Sequence, residues 1–369
     1  MGGQIVVFGA TGYTGDLAAR ALVRMGARPV LAARSEPRVR ALAQELGDLE
    51  YRVADVDRPE SVAAIVGAGD VLLSTVGPFT KWGRPAVEAA IAGGAHYLDS
   101  TGEGPFIRSI FEEFGPRAEA TGVGLLTAFG YDFVPGNLAG GIALAEAGDR
   151  AASVQVGYYM TGKAGKDAMS GGTAASALGV IAGRGFAWRD GRITDERVAR
   201  GVVTLRAGGR DRQGITVSGS EHFALPRLAP GLREVEVGLG WLGPASRAAQ
   251  VVSAVAAPVT GSARGQAALG SVVGRFVKGS TGGPDEAARA KTGSIAVAVA
   301  RDAGGAELAH VELAGPNGYT LTGDLLAWGA IRAVEGGLQG TGALGPVDGF
   351  GLDELRDGCA SIGLTRRDS

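Results

Sequence analysis

Two residue types on which metal and disulfide sites depend are scarce in this sequence. Its 369 residues include one cysteine, Cys359, and three histidines. A single thiol cannot form an internal disulfide, and no two of the histidines are close in the sequence. We therefore expect no metal site, and the near absence of cysteine favours a reducing compartment, the cytoplasm.

Blocks of like charge and long apolar runs are also missing. Lysine and arginine number 36 against 38 acidic residues, and no basic cluster predicts a nucleic-acid partner. The longest weakly polar stretch, residues 250–260, is far shorter than the roughly 20 residues of a membrane-spanning helix. We therefore expect a folded protein with a small-molecule or carrier-linked substrate and no membrane contact.

Strand-like and helix-like segments alternate through residues 1–130. This alternation predicts parallel strands with crossover helices, a doubly wound Rossmann sheet of the α/β class. From 131 to 345 the pattern changes to alternating strands separated by turns, residues 214–226 among them, which predicts a second α+β domain with a mostly antiparallel sheet. We expect the helix in 346–369 to pack back on the first domain.

Three glycines open the first helix of the predicted α/β domain. Gly9, Gly12 and Gly15 follow an apolar strand and precede a helix, which is the setting of a dinucleotide-binding loop. Backbone amides at such a helix start bind phosphates. The second strand ends in Arg34 and Ser35, where an NAD site usually has an acidic residue, so the expected cofactor is NADP(H).

Loops that follow other strands of this domain should lie beside the same cofactor, because ligands bind at the carboxyl ends of parallel strands. The predicted cofactor-binding residues are Gly9, Thr11, Gly12, Tyr13, Thr14, Gly15, Arg34, Ser35, Asp55, Ser74, Val76, Gly77 and Pro78. Asp55 has the alternative role of a helix cap, and the loop that starts at Ser74 could be an ordinary turn.

Several motifs occur in the order seen in one enzyme family. They are FGATGYTG, LAAR, STVGPF, HYLDSTGE and GYDFVPGNLA, followed by SGGTAAS, GPDEAARAKTG and the final YTLTGDLLAWGAI. The chain resembles the saccharopine dehydrogenase-like oxidoreductases, and within them the trans-acting enoyl reductases. The resemblance implies NADPH as hydride donor and an active cleft between two domains.

Four side chains near the predicted cleft are candidates for the chemistry. Asp99 and Glu103 follow the fifth strand and could orient the substrate or bind an amine; helix capping and solvation are the alternatives. Tyr131 could donate a hydrogen bond to a developing oxyanion, and Asp132 could orient the nicotinamide amide or a substrate amine. The alternative for both is a structured hinge.

The resulting functional hypothesis is an NADPH-dependent reductase of a C=C bond in a small or carrier-linked metabolite. Two alternatives stay open: a saccharopine-type reductase of C=N bonds, and an NADP-binding sensor or scaffold without turnover. A homodimer through the second domain is a further prediction. The Ala/Val-rich segment 245–277 could form a packed helix or lid, line a substrate tunnel or make a dimer contact.

Overall fold

The computed structural model describes residues 2–162, 184–260 and 282–367. Helices and strands are numbered in chain order within these ranges. The SGGTAAS motif and residues 261–277 of the Ala/Val-rich segment lie outside them; residues 246–260 of that segment are helical. Within these ranges no helix is both long and apolar enough to cross a membrane.

A seven-stranded parallel sheet forms the first structural layer. Its strands are β1 (Ile5–Phe8), β2 (Val30–Ala33), β3 (Tyr51–Val53), β4 (Val71–Ser74), β5 (His96–Asp99), β6 (Gly124–Leu126) and β15 (Gly342–Leu344). Their order across the sheet is β15-β6-β5-β4-β1-β2-β3. Every residue of β1, β2 and β4 is buried, since helices cover both faces of the sheet.

Helices connect these strands in the pattern that the sequence predicts. They are α1 (Tyr13–Arg24), α2 (Glu36–Glu45), α3 (Pro59–Ala63), α4 (Phe79–Trp82), α5 (Arg84–Gly93), α6 (Gly104–Ser109) and α7 (Gly115–Ala120), with a π-helical turn at Ile110–Phe114. The strand order reverses at β1, which has β2 on one side and β4 on the other. The loops after β1 and β4 therefore meet at the switch point, where such sheets bind ligands.

A second, mixed sheet follows the helix α8 (Val134–Ala147). Its strands are β7 (Ser153–Gly162), β8 (Arg184–Arg189), β9 (Arg192–Arg197), β10 (Val202–Ala207), β11 (Arg210–Val217), β12 (Glu234–Leu239), β13 (Thr292–Arg301), β14 (Glu307–Pro316) and β16 (Thr365–Arg366). Of the described pairs, β7 and β12 run parallel and the rest are antiparallel. The predicted fold class is confirmed.

One predicted strand was wrong in its second half. The strand expected over 214–226 ends at Val217, and the helix α9 (Glu221–Leu228) begins after a short turn. The turn starts where Ser218 accepts a hydrogen bond from the backbone N–H of Phe186 (2.7 Å). This contact lies between distant segments, so no local pattern announces the end of the strand.

The remaining helices bring the end of the chain back to both sheets. They are α10 (Ser246–Thr260), α11 (Glu286–Arg289), α12 (Gly318–Val334), α13 (Pro346–Phe350) and α14 (Leu352–Ser361). Helix α12 packs against α1 so closely that a Cβ on Gly323 would lie 3.1 Å from the backbone of Leu17. Strand β15 pairs with β6 in the first sheet, although it falls within the range 131–345 assigned to the second domain.

Candidate functional site

The glycine-rich loop is shaped by close contacts between backbone segments. Gly9 has a φ of +90°, and a Cβ there would lie 2.7 Å from the Thr75 hydroxyl and 2.9 Å from Val76. A Cβ on Gly15 would lie only 2.2 Å from the carbonyl oxygen of Gly9. Both positions therefore require glycine, and α1 starts directly against the ends of β1 and β4.

The first turn of α1 is ready to receive an anion. Gly12 is the N-cap and offers no side chain to the free amides of the helix. The N–H groups of Tyr13, Thr14 and Gly15 lie in the first turn of the helix, where backbone N–H groups have no intrahelical acceptor. These amides and the positive end of the helix dipole fit a dinucleotide diphosphate.

Two arginines lie at the end of β2 and the start of α2, where the sequence predicts the 2′-phosphate of NADP. Arg34 is exposed directly after β2, and Ser35 is the N-cap of α2. Arg38, one turn into α2, donates a hydrogen bond from Nη2 to the carbonyl oxygen of Thr11 (3.0 Å), so α2 is tied to the glycine-rich loop. The residues present therefore fit a phosphorylated adenosine ribose at this end of the loop.

The loop after β3 holds Asp55 in a turn. Its Oδ1 accepts a hydrogen bond from the N–H of Asp57 (3.1 Å), and its own N–H donates to the Ser61 hydroxyl (2.9 Å). The loop after β4 begins at buried Ser74 and continues through half-buried Val76, Gly77 and Pro78. Both loops lie at the carboxyl edge, and contact of these residues with the cofactor stays a prediction.

Glu103 connects the loops after β4 and β5. Its Oε1 accepts a hydrogen bond from the N–H of Phe79 (2.8 Å), while Oε2 accepts from the N–H (3.0 Å) and the hydroxyl (2.6 Å) of Thr80. Three donors thus converge on one carboxyl group at the start of α4. These contacts show that Glu103 positions the loop after β4, and a direct role in the chemistry stays a prediction.

Asp99 connects the loops after β5 and β6. Its Oδ1 accepts hydrogen bonds from the N–H groups of Thr101 (2.8 Å) and Ala128 (2.9 Å), and its Oδ2 accepts from the Thr127 hydroxyl (2.9 Å). Complete burial raises the pKa of Asp99 to about 6 against the effect of these bonds. Its carboxyl group therefore holds together the loops that carry the next candidates.

Tyr131 and Asp132 follow β6 and have buried oxygen atoms without partners. Neither the Tyr131 hydroxyl nor Asp132 Oδ1 has a hydrogen-bond partner among the described residues. Desolvation raises the pKa of Asp132 to about 7 and that of Tyr131 well above its usual value. Unsatisfied buried polar atoms are rare in folded proteins and mark places where a ligand completes the bonding.

Two side chains of the second sheet region complete the group. The Tyr158 ring packs edge-on against Tyr131 with centroids 5.5 Å apart, and its hydroxyl bonds to Glu221 Oε1 and accepts from the N–H of Gly136 (2.9 Å). Glu221 Oε2 has no partner among the described residues. Burial, with a further contribution from the charge of Asp132, raises the pKa of Glu221 to about 8.

Tyr131, Asp132, Tyr158 and Glu221 are called the acid–phenol cluster below. The sequence singled out the first two. It missed Glu221, because that residue was placed in a strand. A glutamate that directly follows a Gly-Ser pair is typical of a helix start, and this signal could have placed Glu221 in a helix. The pKa values of Asp132, about 7, and Glu221, about 8, lie near neutral pH, where such groups can both hold and donate a proton.

A comparison with protein families identifies the nucleotide domain. Residues 5–124 match the saccharopine dehydrogenase NADP-binding domain. The acid–phenol cluster lies outside the matched residues. The prediction of NADP(H) as the cofactor is confirmed by this match.

Curated relatives share part of the chain. A Mycobacterium tuberculosis protein provisionally named a trans-acting enoyl reductase is 36% identical over 184 residues, which are 48% of this chain and 44% of the relative. The trans-acting enoyl reductase of Mycobacterium leprae is 41% identical over 141 residues, 37% of this chain and 34% of the relative. The matches thus span less than half the length of these relatives.

Solved structures resemble the fold over nearly the whole chain. Saccharopine dehydrogenase (L-Glu forming) from Saccharomyces cerevisiae has a TM-score of 0.62 at 13% identity, covering 99% of both chains. Homospermidine synthase from Legionella pneumophila, solved with NAD, has a TM-score of 0.66 at 11% identity, covering 100% of this chain and 91% of the other. The chain therefore has the fold of these two structures, and its residues 5–124 match the saccharopine dehydrogenase NADP-binding domain.

Proposed function

We propose that this protein is an NADPH-dependent reductase of a C=C bond conjugated to a carbonyl group, in a small or carrier-linked metabolite. The glycine-rich cradle and the acid–phenol cluster lie at the carboxyl edge of the same sheet, which supports a reaction between bound cofactor and substrate there. The names of the curated relatives support the choice of an enoyl substrate.

The proposed reaction balances with one proton from the protein. When bound, NADPH supplies a hydride from its nicotinamide ring, and NADP⁺ is the product. The double bond then needs a proton at the other carbon, and the carbonyl oxygen needs a hydrogen-bond donor while it carries negative charge. Asp132 has a proton to give when its carboxyl group is neutral, and neither its Oδ1 nor the Tyr131 hydroxyl has a hydrogen-bond partner among the described residues.

The observation that carries this proposal is the pair of unpartnered oxygen atoms, Tyr131 Oη and Asp132 Oδ1. A carboxyl group and a phenol in a dry site each leave at least one hydrogen-bonding position open, at a free-energy cost of about 1–3 kcal/mol per atom. A substrate carbonyl that accepts from both would recover that free energy. The arrangement therefore favours binding of a developing oxyanion over binding of a neutral apolar group.

Reduction of a C=N bond is the second candidate, because the cluster contains two buried carboxyl groups. Among the described residues, no positively charged side chain shifts the pKa of Asp132 or Glu221. If both carboxyl groups were ionised, a protonated imine would supply the missing positive charge. The two candidates thus require opposite protonation states of Asp132.

The opposite requirements make a pH profile the deciding experiment. Loss of NADPH absorbance is followed with α,β-unsaturated thioesters and with mixtures of keto acids and amines. Enoyl reduction should decline as the pH rises through the pKa of Asp132, about 7, whereas imine reduction should decline as the pH falls through it.

Variants test whether the cluster does the chemistry. Asp132→Asn and Tyr131→Phe should each lower kcat/KM by roughly 10²-fold or more. Tyr51→Phe is the matched control, because the Tyr51 hydroxyl bonds only to exposed Arg40 in the described structure. If the protein binds NADPH and turns over neither the unsaturated thioesters nor the mixtures of keto acids and amines, the proposed reductase activity is refuted and a sensor or scaffold is favoured.

A further inference from the structure

A segment of the second half of the chain lies on the first turn of the cofactor-binding helix. Residues 282–289 reach Tyr13, the first residue of α1, whose hydroxyl donates a hydrogen bond to the carbonyl oxygen of Pro284. A Cβ on Gly283 would lie 2.6 Å from the Tyr13 ring, so the segment packs flat against it. The ring of Tyr319 contacts Tyr13 edge-on, with centroids 5.2 Å apart.

Arg289 is held in this contact entirely by uncharged oxygen atoms. Its Nη1 donates to the Tyr13 hydroxyl (3.1 Å) and to the carbonyl oxygen of Pro284 (2.8 Å), and its Nε donates to the Thr320 hydroxyl (3.2 Å). The side chain is half-buried. Within the described ranges the hydrogen bonds of Arg289 go to these three oxygen atoms, and none of the three belongs to a carboxylate.

Among the described residues, no negative charge is paired with the positive charge of this guanidinium. The first turn of α1 already presents free amides and the positive end of the helix dipole. A cation hydrogen-bonded to the side chain of Tyr13, the first residue of that helix, adds to the positive potential. Two acidic residues lie within four positions of Arg289. Glu286 is exposed and makes no ion pair with Arg289 among the described residues, and Asp285 is occupied as the N-cap of α11, where it accepts a hydrogen bond from the N–H of Ala288 (2.8 Å). An anionic ligand would balance these charges.

We propose that Arg289 binds the diphosphate of NADP(H), so that the second half of the chain completes a site begun by the glycine-rich loop. Arginine suits this role because its planar group can bond two phosphate oxygens at once. Residues 282–289 fall outside the matched NADP-binding domain, which ends at residue 124. The inference rests on NADP binding and is independent of the reaction proposed above.

Titrations with NADPH, NADH and 2′-AMP, followed by calorimetry or fluorescence, distinguish the role of Arg289 from that of Arg34. Arg289→Ala should weaken the binding of NADPH and of NADH equally, by about ten-fold, because both cofactors contain the diphosphate. It should leave binding of 2′-AMP unchanged, since 2′-AMP has the 2′-phosphate and no diphosphate. Arg34→Ala should weaken the binding of NADPH and 2′-AMP and leave the affinity for NADH unchanged. Equal affinity of wild type and Arg289→Ala for NADPH would overturn the proposal.

A purely structural role for Arg289 would give a different salt dependence. Tyr13→Phe removes the two hydrogen bonds between the Tyr13 hydroxyl and the segment, one to Pro284 and one from Arg289, and keeps the guanidinium charge. If Arg289 pairs with the diphosphate, the loss of NADPH affinity with rising salt should become shallower in Arg289→Ala and stay unchanged in Tyr13→Phe. Equal slopes in all three proteins would overturn the proposal. Failure of the wild type to bind NADPH would overturn the cofactor assignment itself and this inference with it.

Discussion

Replacing Asp132 by asparagine should stabilise the protein at alkaline pH while it removes activity. Asparagine has the same shape as aspartic acid and cannot ionise. Burial raises the pKa of Asp132 from 3.8 to about 7, so the folded protein holds this proton more tightly than the unfolded chain does. The wild type therefore loses free energy of unfolding as the pH rises from about 4 to about 7, and the loss persists above that range.

The size of the effect follows from the shift. Each pKa unit corresponds to about 1.4 kcal/mol, and from pH 5 to pH 7 the unfolded chain has lost the proton that the folded chain keeps. Between pH 5 and pH 8 the variant should therefore gain roughly 3 kcal/mol relative to the wild type. Tyr131, Tyr158 and Glu221 face the same space in both proteins. Because the charge of Asp132 contributes to the raised pKa of Glu221, the substitution lowers that pKa, and this change adds to the gain of the variant at pH 8.

Thermal or urea unfolding of both proteins at pH 5 and pH 8 measures this difference. Asp57→Asn, at an exposed position after β3, is the matched control and should change stability equally at the two values. If Asp132→Asn gains no stability relative to the wild type between pH 5 and pH 8, Asp132 is solvated or paired. The argument that it holds a proton for catalysis would then be refuted.

Three further substitutions test the geometry around the site. Gly15→Ala should lower the free energy of unfolding by about 1–3 kcal/mol and weaken NADPH binding, because its Cβ would lie 2.2 Å from the Gly9 carbonyl oxygen. Gly141→Ala, whose Cβ would meet only the ends of side chains, is the control in the unfolding and titration experiments. Glu103→Gln should lower stability by about 1–3 kcal/mol and raise the KM for NADPH, since an amide cannot accept all the bonds from Phe79 and Thr80; unchanged melting and KM would contradict its positioning role. Tyr158→Phe should cost about 1–3 kcal/mol in urea unfolding by leaving the N–H of Gly136 and the carboxyl group of Glu221 unpartnered, and a smaller loss would mean that water reaches them.

The first sheet could be predicted because its signals are local. Each buried strand is a continuous apolar run, and the glycines of the loop follow β1 directly, as close backbone packing requires. The end of β2 at Ala33, with Arg34 next, was likewise visible in the sequence. Predictions of this kind depend on residues a few positions apart, so the fold class and the cofactor were accessible without coordinates.

The second half of the site depends on contacts that no local pattern records. Tyr13 and Arg289 are 276 residues apart, and Tyr158 and Glu221 are 63 apart. Glu221 was misplaced because the apolar alternation before it suggested a continuing strand. The turn at Ser218 that ends the strand is stabilised by bonds to Phe186 from another hairpin. Long-range pairing of this type overrides local propensity.

The acid–phenol cluster is hard to explain by folding alone. Its two carboxyl groups are desolvated, and three of its oxygen atoms, on Tyr131, Asp132 and Glu221, have no partner among the described residues. Apolar side chains of similar volume would pack there at lower free energy. Other carboxyl groups at the same sheet edge, those of Asp99 and Glu103, accept hydrogen bonds on both oxygen atoms from backbone N–H groups and threonine hydroxyls. Retention of unpaired acids beside paired ones, next to a nucleotide cradle, is expected where protons are used in chemistry.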